Sequence, residues 1–63
     1  MMGLKIYVKM KEDGKDILYV HVSNTTRDES EFDYIFETDR FIDPVDILEF
    51  WRIEDGQLIP PAL

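Results

Sequence analysis

The chain has 63 residues, a formal net charge of -7, no cysteine and one histidine, which excludes a disulfide scaffold, a thiol nucleophile and a Cys- or His-built zinc site. Hydrophobic residues make up 44%, with four Phe, three Tyr and one Trp, enough for a core and too much for a disordered acidic tail. No segment approaches the ~20 apolar residues of a membrane helix, and Met1-Met2-Gly3-Leu4-Lys5 has no signal-type apolar run, so the expectation is a single small acidic domain over residues 1–63, cytoplasmic in location.

Residues 4–11 alternate, with Leu4, Ile6, Val8 and Met10 on one face and Lys5, Tyr7, Lys9 and Lys11 on the other. Period two with β-branched and aromatic residues predicts a strand, and residues 17–23 predict a second. Between them, Glu12-Asp13-Gly14 reads as a three-residue loop with Gly14 left-handed, closing on a Lys11–Lys15 pair. That register sets Val8 against Leu18, Ile6 against Val20 and Leu4 against Val22, an all-aliphatic face. Lys9 then lies beside Ile17, Tyr7 beside Tyr19 and Lys5 beside His21.

Residues 24–30 are polar and read as a loop; the Asn24-Thr25-Thr26 sequon belongs to it. Residues 31–38 alternate again, Phe32, Tyr34 and Phe36 against Asp33, Ile35 and Glu37, and predict a third strand. Asp43-Pro44 suits a helix start, with Asp as N-cap and Pro in the first turn. Pro44, Ile47, Leu48 and Trp51 recur at helical spacing, which predicts a short helix over 44–52. The same stretch also fits a strand. The fold class expected is α+β, a small antiparallel sheet with one short helix. The alternative is a five-stranded SH3-like barrel, closed by a hairpin of 47–54 and 57–61 around Glu54-Asp55-Gly56. The tail 57–61 is extended, and Pro60-Pro61 confine it to an edge.

No phosphate loop, nucleophile elbow or calcium-loop spacing occurs. His21, with Lys5 as its expected neighbour, is a poor general base. The expectation is therefore no catalysis, no cofactor and no metal. Charge is the informative quantity. Residues 1–20 carry Lys5, Lys9, Lys11 and Lys15 against Glu12, Asp13 and Asp16, a net of +1, whereas 21–63 carry Arg27, Arg40 and Arg52 against eleven acids, a net of -8. Direct nucleic-acid binding, which needs cations to neutralise phosphates, is disfavoured.

The function expected is a non-catalytic protein-binding module, an acidic adaptor or inhibitor docking on a basic partner surface, with a phage-type nucleic-acid mimic as its narrower form. Glu29, Glu31, Asp33, Glu37 and Asp39 are the candidate docking acids, their mutual repulsion a cost to the fold. If one helix covers one sheet face, Tyr7 and Tyr19 stay outside on the other, unless the tail 58–63 folds over them. The alternative is thus a structural subunit that self-associates, as a homodimer, through that aromatic face.

Overall fold

The computed structural model describes residues 3–24 and 28–62. In chain order it contains strands β1 (Leu4–Met10) and β2 (Ile17–Ser23), a 3-10 turn (Glu29–Glu31), strand β3 (Tyr34–Thr38), helix α1 (Pro44–Phe50), and short strands β4 (Arg52–Glu54) and β5 (Gln57–Ile59). β1 is the middle strand of a three-stranded antiparallel sheet of order β2-β1-β3, and β4 and β5 form a separate two-stranded sheet. The α+β class expected from the sequence is the one observed. Among the described residues the strands do not close into a barrel.

The first hairpin forms with a different register. Ile6 pairs with Val22, Val8 with Val20, Tyr7 with His21 and Lys9 with Tyr19, two residues along from the expected pairing. A slip of two leaves every side chain on its own face, so the aliphatic stripe survives it. Nearer the turn, a bulge between Lys9 and Met10 pairs Met10 with Ile17. Ile17 therefore enters the core at 9% exposure, and Leu18 is pushed out at 48%. The turn is four residues wide: the Lys11 N–H donates to the Asp16 carbonyl at 2.8 Å, and the expected Lys11–Lys15 pair does not form. Gly14 is left-handed at φ 70° as expected. The Asp13 carboxylate shares the work, accepting from the N–H groups of Lys15 (2.8 Å) and Asp16 (3.1 Å).

The third strand starts late. Asp28 caps the 3-10 turn, its Oδ1 accepting from the N–H (3.0 Å) and hydroxyl (2.6 Å) of Ser30, so the chain is not extended until Phe32. Asp33 then joins it to β1. Its N–H donates to the Val8 carbonyl at 2.9 Å, and its Oδ2 accepts from the Met10 N–H at 2.7 Å, standing in for the backbone carbonyl a longer strand would offer. Of the loop expected over 24–30, residues 25–27, including two of the sequon, lie outside the described residues.

Residues 44–54 contain both elements that competed for them. Asp43 caps α1 through Val45 N–H at 2.9 Å, and Pro44 occupies the first turn. Trp51 leaves the helix in an extended conformation, and β4 follows. Asp55 (φ 52°) and Gly56 (φ 76°) then make the two-residue turn to β5, both with positive φ, as a type I′ hairpin requires.

The core is Ile6, Val8, Met10, Ile17 and Ile47, ringed by Val20, Val22, Tyr34, Phe36, Ile42, Trp51, Ile53 and Leu58. α1 packs on β2, and the second sheet supplies Ile53 and Leu58 to the same side. The other sheet face is not open. Phe32, just past the 3-10 turn, sits with its ring 5.0 Å from Tyr7 and edge-on to Tyr19 at 6.0 Å. Tyr7 is consequently buried at 0% exposure, also touching His21 at 6.1 Å. The cover is Phe32 and not the tail, since Leu58 packs on the opposite side.

Candidate docking surface

The five candidate acids fall into two groups. Asp33 is committed to structure: besides holding Met10 it lies 3.5 Å from the Lys9 ammonium. The Met10 N–H, with Lys9 assisting, holds its carboxyl below the ordinary value. Asp13 and Asp28 are lowered likewise, by the backbone N–H groups of Lys15 and Asp16 and by the Ser30 hydroxyl and N–H respectively. Glu29 is paired with Lys5 at 3.6 Å, an exposed contact worth little. Glu31, Glu37 and Asp39 are exposed.

The acids do not form one strand row. Glu31 ends the 3-10 turn and Asp33 precedes β3, so only Glu37 projects from the strand itself. The regular ~6.6 Å spacing that same-face strand residues would supply is absent. Repulsion is also not the whole account of these carboxylates, because Asp33 stabilises the fold it was expected to strain.

The aromatic pair separates. Tyr19 is 44% exposed on β2, while Tyr7 has no surface for a partner to touch in this conformation. His21 faces Tyr7 rather than Lys5, and its Nε2 is buried with no hydrogen-bond partner among the described residues. Among the described residues no three His, Cys, Asp or Glu side chains converge as metal ligands. None of their helices is long and apolar enough to cross a membrane.

Two features escaped the sequence reading. Phe41 (64% exposed), Val45 and Phe50 (59%) lie at the surface around α1, although aromatics in so short a chain read as core. A groove of about 480 Å³ runs between β3 and the β4–β5 hairpin. The weakly amphipathic pattern of 44–50, with apolar residues on three sides, was the available signal for the first; nothing local encodes the second.

Comparison with protein-family models, with curated proteins and with solved structures finds no match for this chain.

Proposed function

We propose that this domain is a non-catalytic protein-binding module that docks through free carboxylates on a basic surface of a partner protein. One observation carries the reading. Glu31, Glu37, Asp39, Asp46, Glu49 and Asp55 are exposed, and among the described residues none has an ion pair or a side-chain hydrogen bond. Arg52 is engaged with Glu54 at 2.9 Å, and Lys5, opposite Glu37 in the sheet, with Glu29 at 3.6 Å. Uncompensated charge of one sign steers a complementary surface and accelerates encounter. The narrower idea of a nucleic-acid mimic gains nothing from this arrangement, because the acids lack a regular row.

The test is a pull-down from source-cell lysate at low and high salt, followed by a Glu31→Gln, Glu37→Gln, Asp39→Asn variant. Docking through these acids gives slower association in the variant and a flatter salt dependence. Equal binding by variant and wild type at both salt concentrations would leave the acids as solubilising groups only.

A second reading, self-association, is favoured by the exposed Phe41, Val45 and Phe50 rather than by the sheet face, whose Tyr7 is covered. Apolar association persists at high salt, and sedimentation at increasing protein concentration detects it directly.

A further inference from the structure

Among the described residues, β3 is an edge strand with one side unpaired. The Val8 carbonyl points toward β3, since the Asp33 N–H reaches it. Backbone groups alternate sides along a strand, so Ile6 and Val8 direct theirs to β3, and Tyr34 and Phe36 direct theirs back. Ile35 and Glu37 therefore aim their N–H and C=O groups outward, and among the described residues no strand pairs with them. A free edge is ordinarily blunted by a proline, an inward charge or a covering element. Here it borders the groove between β3 and the β4–β5 hairpin.

The groove is lined mainly by the apolar residues Ile6, Phe36, Ile42, Trp51 and Leu58, with Glu37 and Gln57 also bordering it. Its volume of about 480 Å³ lies inside the ~300–1,000 Å³ range of ligand clefts. β3 is five residues long, about 16 Å of edge at strand rise. Of the residues that line the groove, Glu37 alone is charged, in a molecule of net charge -7. Unsatisfied backbone groups select an extended chain, an apolar lining selects alternate apolar side chains, and Glu37 in an acidic molecule selects cations between them.

We propose that this groove binds an extended peptide segment of a partner protein, alternately apolar and basic, which adds as a fourth strand to the outer edge of β3. The proposal rests on the acidic-docking reading and names the place and the mode.

The experiment uses the whole chain, labelled with nitrogen-15, and a capped heptapeptide of alternating lysine and valine. The expected result is amide shifts at Ile35 and Glu37, a shift of the Trp51 indole N–H, and roughly tenfold slower amide exchange at Ile35 and Glu37. N-methylation of alternate peptide amides should abolish these changes in one parity, the amides that face β3, and spare them in the other, whereas glutamate in place of lysine should abolish them outright. Glu37→Lys should keep the wild-type spectrum elsewhere and weaken binding about tenfold. Shifts clustered at Asp46, Glu49 and Asp55, equal for the N-methylated peptide, would overturn the groove while leaving acidic docking intact. No shift anywhere with the lysine peptide would overturn the groove and count against acidic docking too. Concentration-dependent shifts at Ile35 and Glu37 without peptide would overturn it in favour of a second copy of this chain.

Discussion

Phe32→Ala tests the packing that closed the second sheet face. Phe32 is half-buried, its ring 5.0 Å from that of Tyr7 and 6.0 Å from that of Tyr19. Full burial of such a side chain contributes ~1.5–3 kcal/mol, so half-burial contributes about 1. Each aromatic pair adds ~0.5–1.5 kcal/mol beyond area. The expected loss is therefore about 2–4 kcal/mol, and at ~4–8 °C per kcal/mol for a domain this small, a melting point lower by at least ~8 °C. A chain of this length has only ~3–9 kcal/mol in total at ordinary values per residue. The assay is thermal unfolding by circular dichroism, with line broadening of the Tyr7 ring protons by a soluble nitroxide. The variant should expose Tyr7 to the nitroxide and the wild type should not. Phe32→Leu keeps apolar cover and should lose less than half as much, while Phe41→Ala, at a 64% exposed site, should stay within about 0.5 kcal/mol of wild type. A Phe32→Ala protein melting within ~3 °C of wild type, its Tyr7 still shielded, would refute the cap.

Gly14→Val should destabilise by more than ~1 kcal/mol through backbone strain alone, because φ is 70° and no atom lies within 4 Å of the new Cβ; chemical denaturation measures it, and Gly14→Asn should cost less. Asp43→Ala removes the N-cap of α1 and should cost ~0.5–2 kcal/mol, with the Val45 amide losing exchange protection first. Acid should weaken the fold through Asp13, Asp28 and Asp33, whose folded carboxyls are all lowered. A carboxyl lowered by folding contributes stability above its unfolded value and loses it as pH falls through the folded one, so the decline belongs below about pH 4. Asp33→Asn should be less stable than wild type near neutrality and draw level in acid; parallel urea midpoints for the two proteins across that range would show that the carboxylate charge adds nothing over a neutral acceptor for the Met10 N–H. Leu48→Pro should break α1 at ~3 kcal/mol or more, read from helical chemical shifts over 44–50.

Much of the local structure was legible because it depends on neighbours in sequence. Alternation located β1 and β2, Asp43-Pro44 placed the start of α1, and Gly14 marked a left-handed residue; each is a statement about steric freedom or hydrogen bonding within a few positions. The competing readings of 44–54 had separate causes, helical spacing before Trp51 and the Asp55-Gly56 turn after it, and both were local, which is why both elements exist. The charge imbalance is also a property of the sequence alone. It names a kind of partner surface without saying which carboxylates remain free to meet it.

What the fold decided were quantities set between distant segments. The register of the first hairpin followed the Lys9–Met10 bulge, which selects Ile17 over Leu18 for the core, and two registers of equal parity look alike in the sequence. Asp33 reads as one acid among several until Met10, 23 positions earlier, donates to it. Tyr7 reads as an outward residue until Phe32 lies across it. The groove beside β3 arises because β4 and β5 pair with each other rather than with the sheet, leaving the edge groups of Ile35 and Glu37 without a paired strand among the described residues. In each case the sequence determined which groups exist and which way the local chain turns, and long-range packing determined which of those groups were consumed by the fold and which were left for a partner.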